Sequence, residues 1–322
     1  MDIKVQGRQP SGAEVVNQIY LDTARLLTQV APLVFVDDLF ALKGGTAINL
    51  FVRDLPRLSV DLDLVFVDHR PNRDEALAKI NDAIRSAADR LTKRGFQTHA
   101  ANQADTGETK LFVRRDKLEV KIEANFVMRG SVHPARTAAL TPAAKASLLA
   151  DLELPVLTLE DLYGGKLVAA MDRQHPRDLF DVMQLFAHEG ISPGIRRSFV
   201  AYLACHNRPI HEVLFPKLRD VGADFDAFRG MTAEPVELRD LLVARDRMIA
   251  ELQAGLDAGE REFLLSLARR APNWDLAGIE HLEDLPAMRW KLENLEQLAK
   301  ANPKKLKEQA EELERRLGNG AR

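Results

Sequence analysis

The sequence predicts an α+β fold, in which a mixed α/β core with a small sheet precedes a mainly helical C-terminal half. Up to residue 128, short runs that alternate apolar and polar residues are interspersed with apolar residues at helical spacing. From about Thr158 onward, the apolar residues recur almost only at helical spacing. Strands interspersed with helices in this order are typical of α/β and α+β domains.

The first half contains a strand–turn–helix–strand pattern in the stretch FALKGGTAINLFVRDLPRLSVDLDLVFV. It predicts a strand, a Gly-Gly turn, a short helix over 47–51 and a second strand over 58–67. The other elements predicted for this half are two helices and the two strands of a hairpin, over residues 13–31, 73–94, 110–114 and 117–128, respectively.

The second half begins after residues 129–150, which are rich in Ala, Ser, Thr and Pro and predict a connection. Thr158, followed three residues later by Asp161, resembles a capping box at the start of a helix. Pro176 suits the first turn of the next helix, where a missing N–H costs nothing.

The C-terminus predicts two charged amphipathic helices that are separated at Asn302-Pro303. The chain therefore divides into a mixed core, a helical domain and charged C-terminal helices, over residues 1–150, 151–280 and 281–322, respectively.

Composition excludes several classes of protein. With 46% hydrophobic and 29% charged residues, the chain has the composition of a soluble globular protein and is not disordered. Its net charge of −3 excludes a broadly basic surface for nucleic acid. The single cysteine, Cys205, can form neither an internal disulfide nor a zinc site. Because no apolar run has the length of a signal peptide or a membrane span, we expect a cytoplasmic protein.

The strongest chemical signal is Asp61-Leu62-Asp63, within the second predicted strand. Alternate residues of a strand share a face, so the two carboxylates point the same way, roughly 7 Å apart. Like charges at this spacing repel each other unless a cation neutralises them, and Mg²⁺ prefers carboxylate and phosphate oxygens. The alternative, that the strand starts at the solvent edge with its acids in water, is equally compatible with the sequence.

A glycine turn lies fifteen residues upstream of these acids, at Gly44-Gly45-Thr46. Backbone N–H groups at the start of a helix bind anions, and glycine allows a close approach. A triphosphate could therefore bind there, with Mg²⁺ between it and the acids. Alone, this tripeptide is more often only a turn with a threonine cap.

A third carboxylate is expected on a neighbouring strand, and LEVKIEANF offers Glu119 and Glu123 on one face with Lys121. We choose Glu123 because it lies nearer the apolar end of the strand. An exposed edge strand with a Glu/Lys face explains the pattern equally well.

The stretch GGKLVAAMDRQHPRDLFDV supplies a lysine and further acids. Lys166 and Arg173 share one helix face, and Asp178 and Asp181 share a face of the next helix. Lys166 suits the stabilisation of phosphate charge, and Asp178 could orient it. Alternatively, Asp178 only complements the helix dipole, while Arg177 and Asp181 pair one turn apart.

Together these segments resemble a known family. LKGGTAINLF, RLSVDLDLVF, KIEANF, GGKLVAAMDRQHPRDLFDVMQLF and LPAMRWKLENLEQLAKANP, in this order, are similar to the AbiEii/AbiGii-type nucleotidyltransferase toxins, relatives of the MenT toxins. The resemblance covers about residues 13–310 and implies a DNA-polymerase-β-like nucleotidyltransferase core with a small mixed sheet, whose active site the helical domain completes.

The resemblance also implies roles for individual residues. Metal-binding acids would be Asp61 and Asp63, with Glu123 as the less regular later acid, and the catalytic lysine and acid would be Lys166 and Asp178, with Asp181 beside them. The nucleotide-binding residues would be Gly45, Thr46, Arg57, Ser59 and Lys166.

The function implied is that of a toxin in a toxin–antitoxin system that aborts phage infection. It would use Mg²⁺ to transfer a nucleoside monophosphate from an NTP to an acceptor, most naturally the 3′ end of tRNA, and would have an AbiEi-like antitoxin as its partner. Two alternatives stay open: a nucleotidyltransferase for a protein or small molecule, and a non-catalytic nucleotide- or RNA-binding module on the same fold.

Overall fold

The computed structural model describes residues 12–103, 108–125 and 130–319. Within these ranges, one mixed seven-stranded sheet has the strand order β3-β4-β5-β2-β1-β7-β6. Its strands are β1 Phe40–Lys43, β2 Asp61–Phe66, β3 Gln97–Gln103, β4 Glu108–Arg115, β5 Leu118–Asn125, β6 Arg136–Ala139 and β7 Glu153–Val156. The β2–β5 and β1–β7 pairs are parallel, and the other pairs are antiparallel.

The two faces of the central strands differ because side chains alternate along each strand. Leu62, Leu64 and Ile122 are fully buried in the core that also contains residues of the first helix. Asp61 and Asp63 alternate with these leucines and therefore lie on the opposite face of β2. The sequence of β2 thus places one face in the core and presents the acids on the other.

Helices surround the sheet and form nearly all of the second half. They are α1 Gly12–Val34, α2 Gly44–Ala47, α3 Arg73–Lys93, α4 Pro142–Leu148, α5 Leu159–Arg173, α6 Pro176–Ala187, α7 Pro193–Cys205, α8 Ile210–Leu214, α9 Gly222–Phe228, α10 Leu238–Gly255, α11 Ala258–Ala268, α12 Pro286–Ala301 and α13 Pro303–Asn319. A π-helical turn, Ile48–Val52, continues α2. No helix in the described part of the chain is both long and apolar enough to cross a membrane.

The predicted helices and strands occur in the predicted order, including the break at Asn302-Pro303, but the structure also contains β3 and β7, which were not predicted. One expectation is wrong, because residues 129–150 are not merely a connection: they contain β6 and α4. The sheet also continues beyond residue 150, since β7 pairs with β1. Residues 126–128 of the predicted second hairpin strand lie outside the described residues.

Candidate active site

The acids of β2 face charged side chains on both neighbouring strands. In the parallel register with β5, Asp61 lies opposite Lys121 and Asp63 opposite Glu123. In the antiparallel register with β1, Asp63 lies opposite Lys43. Register partners share a face of the sheet, so three carboxylates are grouped on the face away from the Leu62 core.

A pocket of about 510 Å³ lies over these acids. Its wall combines the sheet with residues of α5 and α6, and ligand pockets commonly have this size. The predicted site residues that line it are Gly45, Arg57, Ser59, Asp61, Asp63, Glu123, Lys166 and Asp178.

Thr46 is a predicted site residue that does not line the pocket. Its side chain is buried, and its hydroxyl donates to the carbonyl oxygen of Asp61 and lies 3.0 Å from Ser59 Oγ. Thr46 therefore ties the start of α2 to the first acid of β2.

The glycine turn brings the backbone against the acids. Gly44 has φ +74°, and a Cβ there would overlap the Asp63 carboxylate. A Cβ on Gly45 would lie 2.6 Å from an Arg57 guanidinium nitrogen and 3.1 Å from Ser59 Oγ. A side chain at Gly44 would be strained and would overlap the acid, and one at Gly45 would displace Arg57. The predicted turn is itself helical, because Gly44 and Gly45 are the first two residues of α2.

Lys166 lies in the middle of a charge network, between the buried carboxylates of Asp178 and Asp181. Its Nζ lies 2.8 Å from Asp178 Oδ1 and 2.9 Å from Asp181 Oδ2, and its side chain is 7% exposed. Arg57 donates two hydrogen bonds to the Asp181 carboxylate, at 2.8 and 2.7 Å. Arg173 donates two more to Asp178.

The sequence had left open a simple Arg177–Asp181 pair. That alternative is wrong, because Asp181 is bound by Arg57, Lys166 and Asn49 instead. Asp178 does occupy the first turn of α6, but it also contacts Lys166, as its predicted orienting role requires.

These contacts fix the charges of the network. Burial alone would raise the pKa of Asp178, but Lys166 and Arg173 outweigh it and lower that pKa. In the same way, Arg57 and Lys166 lower the pKa of Asp181 despite its burial. Burial would lower the pKa of Lys166, yet the two carboxylates raise it. Lys166 is therefore a cation at neutral pH.

Asp61 differs from these acids. Burial raises its pKa, Lys121 opposes that effect, and the nearby charges of Asp63 and Glu123 raise it further. An ionised Asp61 in this setting requires a cation close by.

The oxygen ligands present suit a hard divalent cation. Among residues 12–103, 108–125 and 130–319, no three His, Cys, Asp or Glu side chains form a metal site on their own. Asp61 and Asp63 would thus supply two carboxylates, and phosphate and water oxygens the remaining ligands. Mg²⁺ bound to nucleotides typically has this ligand set.

The sequence patterns do not indicate two residues of the pocket wall and one buried residue behind it. Lys43 and Arg177 line the pocket, and Asn49 donates to Asp181. Lys43 directly precedes the glycine turn, so its position next to that motif could have indicated that it belongs to the site. No local pattern links Asn49 to Asp181, because they are 132 residues apart.

The fold is similar to that of a solved toxin. MenT4, a nucleotidyltransferase toxin from Mycobacterium tuberculosis H37Rv, superposes with a TM-score of 0.56 and 19% sequence identity, covering 88% of this chain and 98% of that one. This likeness confirms the predicted fold class. A comparison with curated protein sequences finds no match.

The family model described as nucleotidyl transferase AbiEii toxin, type IV toxin–antitoxin system, matches residues 25–294. The match includes β1, the glycine turn, both acids of β2, and α5 and α6. The chain therefore belongs to the AbiEii family of nucleotidyl transferase toxins.

Proposed function

We propose that this toxin uses Mg²⁺ to transfer a nucleoside monophosphate from an NTP to the 3′ end of tRNA, with pyrophosphate as the leaving group, and so arrests translation. The observation that carries the proposal is the grouping of Asp61 and Asp63 with the glycine turn and Lys166 in one pocket. Metal-binding acids, backbone N–H groups and a buried ammonium are three features that suit a triphosphate.

Each side of the pocket would have its own task. The backbone at Gly45 and Thr46 would bind phosphate oxygens at the start of α2. Lys166, fixed by Asp178, would neutralise charge that develops on the phosphates. Arg57 and Ser59 would hold the glycine turn in place, since the side chains of both lie close to Gly45.

Asp61 and Asp63 would hold Mg²⁺, and Glu123 would complete the acidic cluster or accept the proton of the acceptor hydroxyl. The bound ion would supply positive charge to the triphosphate and help to orient it. The helical half would complete the site, because Lys166 and Asp178 come from α5 and α6.

Membership of the family implies an antitoxin partner and an NTP substrate. We further propose that the antitoxin is AbiEi-like, that both proteins act in the cytoplasm, and that the system aborts phage infection. A tRNA acceptor is supported by the sequence resemblance alone, so the test must identify the acceptor directly.

The test expresses wild type and Asp63→Ala in cells, followed by sequencing of tRNA 3′ ends. Asp68→Ala is a matched control, because Asp68 follows the same strand but its carboxylate binds Arg70 outside the pocket. We expect growth arrest and extended tRNA ends with wild type and the control, and neither with Asp63→Ala.

Other outcomes identify the two alternatives. Arrest that needs Asp63 but leaves tRNA ends unchanged would indicate a protein or small-molecule acceptor. Equal toxicity of Asp63→Ala and wild type would contradict catalysis and favour a binding module.

A further inference from the structure

The acids of the pocket lie in a row of charges that crosses four strands. In register, Lys110 of β4 lies opposite Glu123 of β5, Glu123 opposite Asp63 of β2, and Asp63 opposite Lys43 of β1. The neighbouring row on the same face pairs Lys121 with Asp61. Lysines therefore flank the acids on the same face of the sheet.

Lys121 is placed differently from the other two lysines. Its Nζ lies 3.2 Å from Glu123 Oε1 and 3.8 Å from Asp61 Oδ2, so it contacts acids on two strands. Lys110 Nζ lies 3.3 Å from Glu123, on the side away from β2. Lys121 thus brings a positive charge to the acid that would bind metal.

The exposure of Lys121 indicates that its contact with Asp61 and Glu123 is reversible. The Lys121 side chain is 33% exposed, against 7% for the buried Lys166. A lysine ammonium on a flexible four-carbon stem can move without disturbing the backbone. The positive charge of Lys121 also opposes the effect of burial on Asp61, so it is the local counter-ion of that acid.

An ammonium and a divalent cation compete for the same carboxylate. Two like charges a few ångströms apart in a partly buried site repel each other strongly, so Lys121 must move when metal binds. A triphosphate would offset that cost, because it brings negative charge that attracts both cations.

We propose that Lys121 is a positioning residue that holds Asp61 and Glu123 together in the metal-free site and makes divalent-metal binding depend on the nucleotide. This inference rests on the proposed function, because it requires Asp61 and Asp63 to bind the metal. Free metal then binds weakly, and metal together with nucleotide binds well.

The test measures Mn²⁺ binding by electron paramagnetic resonance, with and without a mixture of the four α,β-methylene NTPs, which cannot transfer a monophosphate. The variants are Lys121→Met and Lys121→Arg. Lys117→Met is the matched control, since it removes the same charge from the exposed turn before β5. Thermal unfolding checks that each variant is folded, and Lys121→Gln replaces Lys121→Met if the latter is not.

Without nucleotide, we expect Lys121→Met to bind Mn²⁺ about tenfold more tightly than wild type, since a competing cation has been removed. Nucleotide should then strengthen Mn²⁺ binding less than in wild type. Lys121→Arg and Lys117→Met should both behave as wild type. A merely structural role of Lys121 predicts the opposite, namely weaker Mn²⁺ binding in Lys121→Met.

The two hypotheses fail in different ways. If Mn²⁺ binding with nucleotide does not depend on Asp61 and Asp63 in the Asp61→Asn and Asp63→Asn variants, the proposed function is wrong and the inference fails with it. If binding depends on both acids but Lys121→Met binds Mn²⁺ no more tightly than wild type, only the inference about Lys121 is wrong.

Discussion

At the residue scale, the pocket depends on charges that neutralise one another. Lys166 contacts Asp178 and Asp181, and Arg57 binds Asp181 from the other side. Charges taken out of water must be paired, and removal of one partner leaves the other uncompensated. The network therefore both fixes Lys166 in the pocket and makes the fold depend on each member.

Arg57→Met tests the structural part of this network. Asp181 is fully buried, and the substitution removes two of its hydrogen bonds, so we expect the free energy of unfolding to fall by about 3 kcal/mol. Arg70→Met is the control, because Arg70 is 83% exposed and should change little. Urea unfolding measures both, and equal stability of the two variants would contradict the assigned pairing.

Acid stability follows from the same contacts. Folding lowers the pKa of Asp178 and of Asp181, so the unfolded chain binds more protons than the folded protein in acid. Their contribution is complete above the ordinary aspartate pKa of about 4 and is lost as the pH falls below it. Urea unfolding between neutral pH and pH 3 should show this loss, and Asp178→Asn should reduce its steepness. An unchanged slope in Asp178→Asn would contradict the account.

Not every member of the site could be identified from the sequence. Asp61 and Asp63 stood out because acids are rare at alternate positions of a strand that has an apolar face. Arg57 and Asp181 are 124 residues apart, and only the fold brings them together. Asp161 was expected to complete a capping box, but its carboxylate accepts from the His133 backbone and Ser198, so only half of the box forms.

At the element scale, the glycine turn and the strand β2 act as one unit. The turn packs so closely on the Asp63 carboxylate that no side chain fits at Gly44. Thr46 binds the Asp61 carbonyl from the same turn. A change in the turn should therefore affect the acids directly.

Gly44→Ala tests this unit, with Gly95→Ala as the matched control. Both glycines have positive φ, +74° and +84°, but a Cβ on Gly95 meets nothing within 4 Å. Gly95→Ala should cost about 1 kcal/mol of stability through backbone strain alone. Gly44→Ala should cost more and also abolish Mn²⁺ binding in the presence of nucleotide. Equal stability losses and normal Mn²⁺ binding would contradict the close packing.

The elements that the sequence analysis missed are short or polar. The strand β3, QTHAANQ, has little apolar alternation because it is an edge strand of the sheet. The strand β6 has four residues and forms the opposite edge. Long amphipathic helices such as α3 were predicted within a residue or two, because their apolar spacing repeats over several turns.

At the scale of the whole molecule, the pocket combines both halves of the chain. The sheet presents the acids, and α5 and α6 supply Lys166 and Asp178. The predicted domain boundary at residue 150 falls between β6 and β7, within the sheet. Composition and periodicity do not show where a sheet ends, because that depends on which strand pairs with β1.

The most direct test of the central claim compares NTP labelled at the α-phosphate with NTP labelled at the γ-phosphate. Purified wild type with Mg²⁺ and total tRNA should place the α label on tRNA and release the γ label as pyrophosphate, and Asp61→Asn should do neither. Transfer of the γ label to any acceptor, or label on tRNA at the wild-type rate with Asp61→Asn, would contradict nucleotidyl transfer at this pocket.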